Sequence, residues 1–281
     1  MHLFGNIHVK FLSIVDNCST IKYNCGMKKD VEKPNTPRLF LCKTVQTVQK
    51  VYPAERQAEI DGCANDVGKE EKYTGWQLLR YAVEHTFDLP FEQLNLHKNQ
   101  NGKWTCDELC FSISHSNGLC AVVVDKNPVG VDIQAFEPHR FDQRLLARIV
   151  CEQEKQVTPY KTLIATPTKQ LTEQQQKQIL SLWCKKEALF KRLDLPTFVA
   201  HNVDTATAHF VEMDVDENGN VITQAPTQNN FQQTTAMQST ITTSTQQNNV
   251  KETTATQNDT FYHIAIATDS TTITPTWVNL E

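Results

Sequence analysis

Apolar residues recur at helical spacing over residues 72–87, where Trp76, Leu79, Val83 and Phe87 share a face and Pro90 ends the pattern. Residues 173–192 predict a second amphipathic helix. At about 100° per residue, Ile179, Leu182, Trp183, Leu189, Phe190 and Leu193 form its apolar stripe. Between the two helices, short apolar runs at 109–114, 119–124 and 129–133 predict buried strands, punctuated by Asn117-Gly118 and Asn127-Pro128. Residues 54–65 and 141–150 have helical composition, and 159–170 reads as a polar, proline-broken connection. Further on, 208–215 and 220–223 predict strands joined by the turn Asp216-Glu217-Asn218-Gly219, and 261–267 predicts another. Phe4, Ile7, Val9 and Phe11, and later Leu39, Phe40 and Leu41, have the look of edge strands.

Composition changes this picture in one place. Residues 226–257 are rich in Thr, Gln and Asn, with Lys251 and Glu252 their only charges. Few large apolar side chains are available there to offset ordering entropy, so a flexible insertion within the fold is expected. The net charge of −5, from 27 basic and 32 acidic residues, argues against non-specific nucleic-acid binding. No apolar run reaches the roughly 18 residues of a membrane span, and the first fifteen residues lack the pattern of a signal peptide. The nine cysteines are scattered without a Cys-x-x-Cys pair. Free thiols and a cytoplasmic setting are the expectation.

Three segments hold residues that could carry chemistry. In Ser112-Ile113-Ser114-His115-Ser116, hydroxyls flank a histidine after an apolar strand; anion contacts and simple turn formation are both open. In Val129-Gly130-Val131-Asp132-Ile133-Gln134, period two puts Gly130, Asp132 and Gln134 on one face. A buried Asp needs a partner or a metal, or caps a helix, and the glycine leaves room beside it. In Trp183-Cys184-Lys185-Lys186-Glu187-Ala188-Leu189-Phe190-Lys191, Lys186 falls in the apolar stripe, with Glu187 and Lys191 side by side at its margin. Such a lysine is costly unless carboxylates or phosphate meet its charge, or it snorkels to water.

Taken in order, these three segments resemble the signatures of the 4′-phosphopantetheinyl transferases. The third is the most specific: an aromatic, a small residue, Lys-Glu, a second small residue and a following lysine are all present. Residues 51–60, Gly75-Trp76-Gln77-Leu78-Leu79-Arg80 and Asn101-Gly102-Lys103 are similar to the family's first half, and 261–267 to its closing strand. The resemblance implies an α/β (α+β) pseudo-dimer of two similar α/β halves, with the active site in the cleft between them. The halves would be residues 1–128, which bind coenzyme A, and 129–281, which carry the metal site and dock the carrier.

The implied reaction is Mg²⁺-dependent transfer of the phosphopantetheine arm of coenzyme A to a serine of an acyl or peptidyl carrier protein. Asp132 and Glu187 would hold Mg²⁺. Glu154 would complete the metal site or act as base. Lys186 and Lys191 would neutralise phosphate, and His115, Lys103 and Lys72 would contact phosphates of coenzyme A. The family often has Glu where this chain has Gln134, so a water is expected to fill that metal position. A catalytically weak member that binds coenzyme A or a carrier protein without turnover is the alternative that Gln134 favours. A monomer is expected. Arg140, Arg144 and Arg148 form a basic stripe that would face an acidic carrier.

Overall fold

The computed structural model describes residues 36–138, 140–167, 170–224 and 260–280. The expected strands around Phe4–Phe11 and the Thr/Gln-rich insertion at 226–257 lie outside the described residues.

The first layer is an amphipathic helix on a sheet. Strand β1 (Arg38–Lys43) leads through α1 (Ala54–Asp61) to the 22-residue helix α2 (Asp66–Phe87). The predicted helix over 54–65 stops four residues early, at Asp61. Gly62 closes α1, and Asn65 then caps α2 by accepting from the Gly68 N–H. That cap starts α2 six residues before its apolar periodicity begins. Trp76, Leu79, Val83 and Phe87 are buried as their spacing predicts, with Leu78 and Ala82 beside them. A two-residue pair, β2 (His97–Lys98) and β3 (Trp104–Thr105), precedes β4 (Cys110–Ser116) and β5 (Leu119–Asp125). The chain then enters the second layer with β6 (Gly130–Ala135), α3 (Gln143–Ile149), α4 (Tyr160–Ala165) and α5 (Glu173–Leu193). The short helix α4 sits inside the stretch expected to be irregular. A capping box between Thr172 and Gln175 starts α5. Strands β7 (Phe210–Asp216), β8 (Val221–Gln224), β9 (Phe261–Ala267) and β10 (Pro275–Trp277) complete the fold.

The first sheet runs β10-β1-β5-β4 and the second β6-β9-β7-β8. Both use one connection. A first strand is followed by a long helix and a second strand, and a later strand lies antiparallel between those two; in the second sheet β8 intervenes and pairs on the far side of β7. In the first sheet these are β1, α2, β4 and β5; in the second, β6, α5, β7 and β9. Strand β10 returns from the end of the chain to pair in parallel with β1. Apolar side chains of the two sheets, Leu39, Leu41 and Val123 against Ile133, Met213 and Ile264, make the core between them. Helix α2 covers the outer face of the first sheet and α5 that of the second. The architecture is mixed α/β, and no described helix is long and apolar enough to cross a membrane.

Two local features fix α5 and β6. Serines 112, 114 and 116, at period two on β4, are buried, and their hydroxyls accept the N–H groups of Val131, Ile133 and Ala135 at 3.1, 3.3 and 3.0 Å. These donors point away from β9, so the serines satisfy the outer edge of β6. On its helix-facing side, Gly130 lies against the α5 backbone. A Cβ there would overlap the Ala188 carbonyl and come within 2.7 Å of the Arg192 nitrogen. The room beside Asp132 that the sequence suggested is therefore taken by the helix itself.

Gly130→Ala is expected to destabilise the protein by about 3 kcal/mol or more, since backbone must move to admit the methyl group. Denaturant unfolding of the two proteins measures this; an unchanged midpoint would contradict the close approach.

Candidate active site at the seam of the two sheets

Asp132 emerges from β6 under the carboxyl half of α5 and is 6% exposed. Its Oδ1 accepts from Ser114 Oγ and from Lys191 Nζ, each at 2.8 Å. Lys191 Nζ also donates to the Val131 carbonyl at 3.1 Å and to Ser114 Oγ at 3.2 Å. The Ser114 hydroxyl thus donates once and accepts twice, its full capacity. Glu187, one helical turn before Lys191, is half-buried and makes no hydrogen bond among the described residues. Burial raises the pKa of its carboxyl; the Lys191 charge opposes the rise and the Asp132 charge adds to it. Gln134 gives its amide N–H to Ser116 Oγ at 3.0 Å, leaving its carbonyl oxygen without a hydrogen bond among the described residues. Two neighbouring carboxylates and an uncommitted amide oxygen fit a hard divalent cation such as Mg²⁺.

Lys191 also lines a cleft of ≈ 370 Å³ between β4, the β2–β3 turn and the end of α5. Lys72, Lys103 and His115, the other expected phosphate contacts, line it too. Arg56 joins them; no local spacing marks it in the sequence. Its guanidinium lies 4.9 Å from the Trp76 ring centre and pairs with Glu59 at 2.8 Å. His115 Nδ1 is 3.1 Å from Glu71, and its pKa is lowered by burial against the pull of that carboxylate. Burial also lowers the pKa of Lys103. Trp76, Trp104, Phe111 and Phe190 give the cleft apolar walls. Cations over aromatic and aliphatic surface suit a ligand with both phosphates and an apolar arm.

Glu154 and Lys186 stand apart from this group. Lys186 is fully buried, as its place in the apolar stripe demands, and its Nζ reaches Glu154 Oε2 at 2.8 Å and the Val203 carbonyl at 2.5 Å. Glu154 also accepts from Thr205 Oγ1 at 2.6 Å and the Cys151 N–H at 2.9 Å. Burial would raise its pKa; these donors outweigh that and lower it. Among the described residues Glu154 shares no hydrogen bond or ion pair with Asp132 or Glu187. The structure therefore gathers Asp132, Gln134, Glu187 and Lys191 at the seam, Lys72, Lys103 and His115 in the adjoining cleft, and sets Glu154 against Lys186 in the core.

A further charged group, which sequence reading missed, underlies α5. His263 on β9 is held by Asp214 Oδ1 at 2.7 Å and Glu212 Oε2 at 3.2 Å. Glu212 also accepts from Ser181 Oγ at 2.5 Å and pairs with Lys185 at 3.0 Å, both on α5. Burial disfavours the charged His263, but the hydrogen bonds to Asp214 and Glu212 prevail and raise its pKa to about 9. Burial likewise works against Glu212, yet Lys185, His263 and Ser181 hold its carboxyl well below the usual range.

One comparison with known proteins falls on the second layer. Residues 128–247 match the family model described as the 4′-phosphopantetheinyl transferase superfamily. Over 152 residues the chain is 26% identical to a protein of Bacillus pumilus named 4′-phosphopantetheinyl transferase psf-1. That match covers 53% of this chain and 60% of the relative, so the chain spans less than two thirds of that protein's length.

His263 gives a pH test. Its folded pKa of about 9 exceeds the unfolded value near 6.5, so its contribution is complete below pH ~6.5 and is lost as pH rises through 9. Between those limits wild-type stability is expected to fall by about 1 kcal/mol per pH unit more than that of His263→Gln, measured by denaturant unfolding at pH 7, 8 and 9. Parallel curves for the two proteins would contradict the doubly paired imidazolium. Asp132, Gln134, Glu187 and Lys191 all fall inside the residues that match the 4′-phosphopantetheinyl transferase superfamily model, so the β6 and α5 part of the seam is what this chain shares with that family's pattern.

Proposed function

We propose that this chain transfers the 4′-phosphopantetheine arm of coenzyme A to a serine of a carrier protein, with Mg²⁺ bound at Asp132 and Glu187. The observation that carries the reading is the position of Lys191. One ammonium touches the Asp132 carboxylate and also lines the cationic cleft. A pyrophosphate in that cleft would then lie next to the carboxylates that hold the metal. The matching order of β1, α2, β4 and β5 and of β6, α5, β7 and β9 supports a pseudo-dimer of two halves divided near residue 128, with β10 crossing back to pair with β1.

In this reading the serine oxygen attacks the phosphorus nearer the pantetheine arm. The pyrophosphate P–O bond breaks, and adenosine 3′,5′-bisphosphate leaves. Asp132 and Glu187 would hold Mg²⁺, which when bound would supply charge neutralisation for the pyrophosphate. Arg56, Lys72, Lys103 and His115 hold the phosphates of the nucleotide end. Lys191 stays against the reacting phosphate, where a fixed cation lowers the barrier because little covalent help is needed. Glu187, without a hydrogen bond of its own among the described residues, receives the serine proton. Gln134 offers its carbonyl oxygen directly or through a water. Glu154 and Lys186 act by anchoring α5 rather than by touching metal or phosphate. Exposed Arg144 and Arg148 on α3, beside a groove lined by Gln143, Ala147 and Ile164, support docking of an acidic carrier.

The test mixes the protein, Mg²⁺, coenzyme A and a panel of apo carrier proteins and follows carrier mass. One phosphopantetheine is expected to be added, with Asp132→Asn and Glu187→Gln slowing transfer by about 100-fold or more while remaining folded. Undiminished transfer in excess chelator would contradict the metal assignment. Coenzyme A binding with no transfer to any carrier would establish the second reading, a binding protein, which Gln134 in place of a carboxylate favours.

A further inference from the structure

The turn between β2 and β3 meets the carboxyl end of α5, about ninety residues further along the chain, through three side chains. Asn99 Nδ2 donates to Asp194 Oδ2 at 2.5 Å, Asn101 Nδ2 to the Asp194 carbonyl at 2.6 Å, and Lys103 Nζ to the Lys191 carbonyl at 2.5 Å. Both partners are set for this contact. On the turn, Asn99 Oδ1 accepts the N–H groups of Asn101 and Lys103, each at 3.0 Å, and Gly102 takes a positive φ of 76°. On the helix, Asp194 ends α5 in the left-handed region at φ 52°. The last carbonyls of a helix lack partners within it and carry its negative end, so a lysine and an amide are well matched donors. Asn101, Gly102, Lys103 and Asp194 all line the cleft. The contact thus joins an element of the first layer to the helix that carries Glu187 and Lys191.

We propose that Asn99, Asn101 and Asp194 form a latch that positions Lys103 beside Lys191 in the cleft wall and thereby sets the affinity for the anionic ligand. The ligand half of this inference rests on reading the cleft as the coenzyme A site; the positional half does not. These are positioning residues. Without the latch, the Lys103 Nζ bond to the Lys191 carbonyl is left alone, among the described residues, to hold the turn against α5, and Lys103 is placed less firmly beside Lys191.

The experiment uses the full chain and three variants. Asp194→Gly removes the carboxylate and keeps the left-handed backbone that glycine adopts without strain. Asn99→Asp keeps the oxygen that accepts from Asn101 and Lys103 but sets two carboxylates face to face. The double variant Asn99→Asp/Asp194→Asn reverses the pair, so that an amide again donates to a carboxylate. Amide hydrogen exchange over residues 99–103 reads the latch, calorimetric titration with coenzyme A reads its consequence, and the transfer assay separates KM from kcat. Each single variant is expected to speed exchange by about tenfold and to weaken coenzyme A binding by about five- to tenfold. KM for coenzyme A should rise in step, with kcat changed less than about twofold. The double variant should restore exchange and affinity. Wild-type exchange in either single variant, or a double variant as loose as the singles, would overturn the latch. Wild-type protein that binds no coenzyme A would overturn the cosubstrate reading, while exchange would still decide the latch.

Discussion

A strand at the edge of a sheet carries a row of backbone N–H groups that must be met, and β6 meets its outer row with side chains instead of a neighbouring strand. Three serine hydroxyls on β4 accept three successive outward N–H groups of β6. An unsatisfied buried donor costs about 1–3 kcal/mol, so this ladder fixes both the separation and the register of the two sheets. It also decides where chemistry can occur. A hydroxyl donates while it accepts, so it can hold a backbone N–H and still reach a carboxylate. Ser114 does so with Asp132, and Ser116 takes the amide of Gln134 while holding the Ala135 N–H. Asp132 can therefore sit at the seam with its charge oriented.

Helix α5 supplies the other half of the site, and it is pinned from several sides. Gly130 admits its backbone directly onto β6. The buried Lys186–Glu154 pair ties its apolar stripe to the segment before α4 and to Val203. Lys185 and Ser181 tie it to Glu212 and, through that carboxylate, to His263. Removing one partner of such a buried pair strands a charge, which costs far more than the intact pair contributes. With this side of the helix committed to the core, Glu187 and Lys191 at its margin face the seam. Its carboxyl end then meets the β2–β3 turn and closes one wall of the cleft.

Much of this was legible in the sequence, for identifiable reasons. The apolar periods of α2 and α5 and the runs of β4 to β6 are strong local signals, and the burial of Lys186 followed from its place in a stripe. What answered its charge did not follow, because Glu154 lies 32 residues away and on a separate element. The early start of α2 depends on the Asn65 cap rather than on periodicity. Alternate serines over 112–116 read as turn formers or anion donors; their task became visible only once β6 was known to lie beside β4. Arg56, Glu212, His263 and Asp194 carry no motif, since each acquires its partners through long-range contacts.

On the proposed function, the serine ladder does more than join the sheets: at Ser114 it also holds Asp132 and Lys191, the groups that would meet metal and phosphate. Ser112→Ala and Ser114→Ala each remove one hydroxyl that accepts a β6 N–H, but only Ser114 also touches Asp132 and Lys191. The deciding measurement is the rate of phosphopantetheine transfer by the two variants, compared under conditions where both are fully folded. The account predicts a comparable loss of stability, about 1–3 kcal/mol in each, with transfer at least about tenfold slower in Ser114→Ala than in Ser112→Ala. Equal transfer rates would show that the ladder is structural alone, and would contradict the account.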